Sequence, residues 1–129
     1  MSEESLSKEM QLLIPAEREY TTVAGMALSG LGMLAGLDLD MLGDLRMVTN
    51  ECMDCLFHQA GKPKSVCIHA CVKDHLLHVR FTAEDREIGY QSDTLELDIT
   101  RGVLETLVPH VKLVCDEAGV HTITCTMGV

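Results

Sequence analysis

The segment from Lys8 to Ile14 (KEMQLLI) reads as a first strand, and Pro15 stops it because proline has no backbone donor to give. From Ala16 to Gly36 the apolar residues Val23, Ala27, Leu28, Leu31 and Leu34 recur at helical spacing. Glu17, Arg18 and Glu19 fall in the early turns, and acidic groups suit a helix N-terminus. The run from Thr21 to Leu37 carries no charge, so this helix is expected to be buried. The run falls short of the roughly 20 apolar residues of a membrane span. Gly25, Gly30 and Gly32 weaken the helix locally and are expected to allow close contact with a neighbouring element.

Gly36 ends the first helix, and Asp38 or Asp40 caps the next. The second helix is expected from about Met41 to Ala60, with Met41, Leu45, Val48, Cys52, Cys55 and Leu56 as one apolar stripe and Gly61 as its stop. Lys62-Pro63-Lys64 is a turn. Ser65 to Lys73 then alternates as a strand, with Val66, Ile68, Ala70 and Val72 on one face and Cys67, His69 and Cys71 on the other. Asp74-His75 is a tight turn into Leu76 to Ala83, whose inner face is Leu77, Val79, Phe81 and Ala83. A polar connection is expected from Glu84 to Leu97 and a short helix from Thr100 to Val108, stopped by Pro109. Val111 to Cys115 and Val120 to Met127 close the chain as a hairpin around the turn at residues 116–119. The order β-α-α-β-β-α-β-β predicts an α+β fold, a two-layer sandwich with a mainly antiparallel sheet and helices on one face.

Length bounds this to a single domain over residues 1–129, with residues 1–7 as a flexible tail. Apolar residues make up 47% of the chain and aromatics 3%, so Leu, Val, Ile, Met and Cys must build the core. The formal net charge of −10 argues against a nucleic-acid partner, because phosphate binding needs clustered Lys and Arg. The same charge tolerates a basic protein partner. The acidic N-terminus, Met1-Ser2-Glu3-Glu4, has no apolar region of the signal-peptide kind. With no span either, a cytoplasmic protein away from membranes is expected, with its six cysteines as free thiols.

Three segments, taken together and in order, resemble the anti-sigma-factor serine/threonine kinases, which carry the histidine-kinase-like (GHKL) ATPase fold. The first is Ile14-Pro15-Ala16-Glu17 with the helix from Tyr20 to Leu34. The second runs from Asp44 to Cys52 and resembles the helix leading into the family's N box. The third is Leu104 to Val108, Val111 to Cys115, the Gly119 turn and Thr122 to Thr126, which looks like the family's closing helix and hairpin.

The resemblance implies a domain that binds ATP and Mg²⁺, pairs as a homodimer, and acts on a sigma factor or an anti-anti-sigma regulator. Glu51 matches the N-box glutamate, the base toward the attacking hydroxyl. The family's Mg²⁺-holding Asn falls at Cys55, four residues on and on the same helix face; a thiol is a poor ligand for that hard cation. Asp85-Arg86-Glu87-Ile88-Gly89 is the match to the second box, Asp-x-Gly-x-Gly. There Asp85 would accept the adenine amino group and Gly89 would let the backbone approach the nucleotide, while Glu87 stands in place of a Gly. Thr100-Arg101-Gly102-Val103 is the match to the Gly-rich third box at a helix N-terminus, keeping Gly102 and offering Arg101 as a phosphate contact. Two readings follow: a serine kinase, or a degenerate relative that holds its protein partner without nucleotide, through the first helix and the sheet edge.

A third reading is a thiol-based metal or redox protein, prompted by Cys52-x-x-Cys55 and Cys67-x3-Cys71 with His58 and His69. The first pair lies mid-helix on the apolar stripe, where Cys serves as a small hydrophobe. The second pair is about 13 Å apart along one strand face. No metal ligand is assigned. Cys55 and His58, three residues apart on one helix, can face each other as a thiol and base.

Overall fold

A computed structural model describes residues 9–59, 61–86, 94–108, 110–116 and 119–128; within residues 94–98 it describes the backbone alone. The expected tail at residues 1–7 lies outside the described residues. The elements in chain order are β1 (Glu9–Pro15), α1 (Tyr20–Ala35), α2 (Leu39–Phe57), β2 (Ser65–Lys73), β3 (Leu76–Glu84), α3 (Thr94–Leu107), β4 (His110–Asp116) and β5 (Gly119–Gly128). This is the expected α+β order. The five strands form one sheet in the order β1-β2-β3-β5-β4, and every neighbouring pair is antiparallel.

Each boundary has a local cause. Gly36 sits at φ 90°, a left-handed cap, and the backbone N–H groups of Gly36 and Leu37 donate to Met33 O and Gly32 O. Asp38 then caps α2, its carboxylate accepting from the Met41 N–H at 2.9 Å. The β2–β3 hairpin turns on Asp74 and His75, both left-handed (φ 54° and 61°), as a two-residue loop between right-twisting strands requires. α1 begins at Tyr20 rather than Ala16, because Glu17 and Arg18 are taken up by turn hydrogen bonds from Tyr20 and Thr21. α2 stops at Phe57, three residues short of the expected end. α3 begins at Thr94, six residues earlier than expected: the stretch Thr94-Leu95-Glu96-Leu97-Asp98-Ile99 looks polar by charge, but Leu95, Glu96 and Leu97 at its centre are good helix formers.

The three helices cover one face of the sheet, with α2 central and packed against both α1 and α3. α1 lies on β1 and β2, α2 on β3 and β5, and α3 on β4. The core is the layer between, formed by Val66, Ile68, Ala70, Leu77, Val79, Phe81 and Ile123 from the sheet and by Leu28, Leu45, Val48, Cys52, Met53 and Leu56 from the helices. The inner faces expected for β2 and β3 are the observed ones, except that Val72, at the strand end, is 39% exposed. The stripe expected on α2 is buried from Leu45 to Leu56 and also takes in Thr49, whose hydroxyl donates to Leu45 O at 2.8 Å.

α1 departs from expectation. It buries Ala24, Gly25, Leu28 and Gly32, whereas Val23 (44% exposed) and Leu34 (87%) face outward. The expected face is rotated, and the helix is not enclosed. Its close approach to α2 uses glycine: a Cβ at Gly32 would stand 2.9 Å from side-chain carbons of both Leu37 and Leu42. No helix among the described residues is long and apolar enough to cross a membrane.

Candidate functional site

The residues singled out by sequence converge on α2 and its neighbours. Glu51 is half-buried on α2 and opens onto a cleft of about 310 Å³ between α1 and α2. Arg18, Thr21, Asn50, Asp54 and Phe57 complete its lining. Arg18 reaches Asp54 at 3.9 Å across the mouth, but both side chains are more than half exposed, so the pair holds the cleft only weakly. The cleft therefore presents two carboxylates, an amide, a hydroxyl and one guanidinium to water. Asn50, Thr21 and Arg18 were not foreseen as its walls. Asn50 precedes Glu51 on α2, whereas only the packing of α1 on α2 brings Arg18 and Thr21 to it.

Cys55, one turn further along α2, belongs to the interior. Its thiol is held from the α3 side by Thr100, and Gln59 Nε2 approaches its sulfur at 3.6 Å. Burial pushes the thiol up to about 11, with the Thr100 hydrogen bond opposing and the Glu51 carboxylate adding to the rise. It is a neutral, covered group at any ordinary pH. His58 does not meet it: the ring donates through Nδ1 to Asp54 O (2.8 Å) and lies 3.4 Å from the Asp54 carboxylate, facing solvent. The expected thiol–base pair is absent.

Gln59 is the polar residue that sequence reasoning missed. It is buried, its Nε2 donates to Cys55 O at 2.9 Å, and its Oε1 accepts from the Val120 N–H at 3.0 Å. The side chain thus ties the C-terminal end of α2 to β5. A Gln just past the predicted stripe gave no signal of this, since the partner is 61 residues away.

Thr100, Arg101 and Gly102 lie within α3 rather than at its start. The contact of Thr100 with Cys55 does bring the two matched segments together. Arg101 and Gly102 are exposed, and a Cβ at Gly102 would meet nothing within 4 Å. Their backbone N–H groups fall in the second turn or beyond, where they are used inside the helix and do not offer a phosphate cradle. Asp85 is exposed just past β3 with φ 53°, a left-handed turn position that Asp tolerates better than most residues. The next residue, Arg86, forms a two-pronged ion pair with Asp116 at the end of β4, donating through Nη1 at 2.9 Å and also through Nη2. Gly89 and Glu87 lie outside the described residues.

The cysteines do not form a ligand set. Cys52 and Cys125 place their sulfurs 3.9 Å apart in the core. Cys67 sits on the other face of the sheet with its sulfur 3.8 Å from the His69 ring. No group of three or more His, Cys, Asp or Glu poised for a metal ion occurs among the described residues.

The exposed apolar residues form the second notable feature. Val23, Met26, Met33 and Leu34 on α1 are 44–87% exposed, and Leu39, just beyond the α1–α2 turn, is 87% exposed. α1 contains no charged residue at all. A surface helix ordinarily places charged and polar groups opposite its buried stripe; here that side carries valine, methionine and leucine. No known protein family matches this chain, and no curated protein matches it.

Proposed function

We infer that this chain is a cytoplasmic regulatory protein of the anti-sigma-factor kind, on a histidine-kinase-like ATPase fold, that acts by holding a protein partner without nucleotide chemistry. The partner class carried by the resemblance is a sigma factor or an anti-anti-sigma regulator, and the active form is a homodimer. The observation that carries the binding reading is the uncharged outer side of α1, with Val23, Met26, Met33 and Leu34 in water. Five exposed side chains of this size, Leu39 included, amount to an apolar surface on the order of 400 Å². Unbranched methionines adapt to irregular partner surfaces and suit such a docking strip.

The nucleotide-free form of the reading is supported at three positions. Cys55, where Mg²⁺ would need a hard oxygen, is an interior thiol with a raised pKa. Arg101 and Gly102 are inside α3, away from its N-terminal donors. Asp85 is an exposed turn residue. The kinase reading keeps one observation of its own, the opening of Glu51 onto the α1–α2 cleft, where a carboxylate could accept a hydroxyl proton.

Two measurements test this. Millimolar Mg-ATP should leave the melting temperature unchanged; a rise of several degrees that Asp85→Asn abolishes would restore the kinase reading. Purified sigma factors and anti-anti-sigma regulators, tested without nucleotide by size-exclusion chromatography, should co-elute with the wild-type chain and not with a Met26→Lys, Met33→Lys variant. Equal co-elution of both would place the docking surface elsewhere.

A further inference from the structure

The uncharged side of α1 has a spacing of its own. Val23, Met26, Gly30 and Met33 follow one another at intervals of three, four and three residues, which is the spacing of a helix–helix seam. At about 100° per residue, these four and Leu34 fall within roughly 100° of the helix circumference. The buried Ala24, Gly25, Leu28 and Gly32 centre on the opposite side. Val23, Met26, Met33 and Leu34 are 44–87% exposed. Gly30 lies in the middle of the stripe, and a Cβ there would meet nothing within 4 Å. It leaves a notch between Met26 and Met33, where a large side chain from outside can rest on the backbone of α1.

Acids stand at both ends of this stripe. Glu19 is the N-cap of α1 and has helical backbone angles, so it continues the stripe one turn before Val23. Glu17 stands beside it: a hydrogen bond with the Glu19 carboxylate holds the Glu17 carboxyl above its usual range. Asp38 and Asp40 follow the last turn, on either side of the exposed Leu39. No ion pair among the described residues engages any of these four acids. The two arginines of the α1–α2 layer lie on the α2 side of the helix: Arg18 reaches Asp54, and Arg46 stands against Gly25.

We propose that this stripe docks a single amphipathic helix of a partner protein, with apolar residues at the same spacing and Lys or Arg at both ends. This occupant rests on the docking role of α1 inferred above. α1 has 16 residues and is about 24 Å long, so about four turns of a partner helix run its length. Seam packing crosses at only about 20°, which keeps the two helices aligned and brings both ends of the partner to the acids. The apolar strip, on the order of 400 Å², is about half of the roughly 800 Å² that each side of a stable interface buries. It suits one helix and falls short of a dimer between folded copies, so the homodimer of the proposed function uses another face. Packing α1 on α1 in either direction would also set Glu17, Glu19, Asp38 and Asp40 of one copy against those of the other. A helix with cationic ends instead meets attraction where the apolar strip stops.

The test is fluorescence anisotropy of labelled helical peptides of about 16 residues, the length of α1, titrated with the full chain at low salt and pH 7. One peptide carries leucines at the three–four spacing and lysines at both ends. A second has glutamates in place of those lysines, and a third keeps the lysines but scatters its leucines off that spacing. The first should bind at least tenfold more tightly than either of the others, and added salt should narrow its lead over the second. A Met26→Gln, Met33→Gln variant should bind the first peptide at least tenfold more weakly, and a Glu17→Gln, Glu19→Gln, Asp40→Asn variant should bind the first two alike. All five positions are exposed, and a melting curve verifies that each variant folds. No binding of the first peptide, or equal binding of the scattered one, would overturn the proposal. Equal binding of the lysine-ended and glutamate-ended peptides would overturn the cationic partner and leave α1 as a docking surface. Binding that survives the methionine substitutions would overturn both. Self-association of the wild type at the concentrations that bind peptide, read by sedimentation and lost in the methionine variant, would make a second copy the occupant and so overturn the proposal as well.

Discussion

Gly30 and Gly32 stand two residues apart in α1, and replacing each with alanine separates packing from helix propensity. Both are helical, so each substitution gains the same intrinsic term, up to about 1 kcal/mol, from the restricted unfolded backbone and better helix former. A Cβ at Gly30 meets nothing within 4 Å. A Cβ at Gly32 would meet Leu37 Cδ1 and Leu42 Cδ2 at 2.9 Å and Leu45 Cδ2 at 3.2 Å. Those separations are well inside the roughly 3.5–4.0 Å of carbon contacts. Leu37 and Leu45 are buried, at 7% and 2% exposure, so their methyl groups have no solvent to swing into. Overpacking of this kind costs about 1–3 kcal/mol. The propensity term cancels in the comparison, so Gly32→Ala should be about 1–3 kcal/mol less stable than Gly30→Ala. At roughly 4 °C per kcal/mol for a chain of this length, that is a gap of about 4–12 °C in Tm. Urea unfolding followed by far-UV circular dichroism measures it, with equal m-values as the check that both variants lose the same structure. Two variants within about 0.5 kcal/mol of each other would refute the close approach of α1 to the Leu37–Leu45 segment.

Further outcomes follow from single side chains. Gln59→Leu should lose about 1–3 kcal/mol in the same urea assay, because Val120 N–H and Cys55 O lose a buried partner. His75→Gly should gain about 0.5–1 kcal/mol, since glycine adopts φ near +61° without the left-handed penalty; a loss would mean the His75 side chain holds the hairpin by contact. The Cys55 thiol rises from an ordinary 9.0 to about 11 on folding, so the folded state favours the protonated form. Its contribution is complete below about pH 9 and is lost as pH rises toward 11. Cys55→Ser should flatten that alkaline loss by an amount on the order of 2 kcal/mol, read as Tm against pH in both proteins; an unchanged slope would mean the thiol is not desolvated.

Which parts of the fold were legible in sequence depended on contrast between neighbouring positions. β2 and β3 alternate sharply, apolar against His, Cys, Arg and Thr, so their faces and the two-residue turn between them followed from period two. α2 carries Asp44, Arg46, Asn50 and Asp54 outside its stripe, and these set the phase of its buried face. α1 offers no such contrast. With every position apolar, small or Thr/Ser, the period alone admitted several faces, and the choice fell to sterics: Ala24, Gly25 and Gly32 let the helix approach α2, while the bulkier Val23 and Leu34 were turned out. The start of α3 was hidden for the opposite reason, because charges at Glu96 and Asp98 resembled a loop while the backbone preference favoured a helix. Of the site, the positions of Glu51 and Cys55 on α2 were legible, and their different fates were not. Whether a helical residue faces a cleft or a neighbouring helix is decided by where α1 and α3 dock, and no local pattern encodes that.

The charge distribution bears on how a bare helix at the surface meets a second copy of the chain. Single apolar side chains in water are ordinary, but a whole uncharged helix is a site for self-association or aggregation. Here the helix is bracketed by acids, Glu17 and Glu19 before its first turn and Asp38 and Asp40 after its last. Two copies meeting at α1 bring these groups toward one another, and the net charge of −10 on each adds long-range repulsion. A partner with cationic residues flanking its own apolar strip meets attraction at both ends instead. On the proposed reading, the acids would act as a filter on the same surface that the methionines would make adhesive, admitting a basic-rimmed partner and disfavouring an acidic one. Salt weakens both effects together. Added salt should consequently slow association with a basic-rimmed partner while promoting pairing of the chain with itself, and concentration-dependent sedimentation at low and high salt measures the second of these directly. Self-association that weakened with salt would mean that attraction between opposite charges, rather than the apolar strip on α1, brings the copies together.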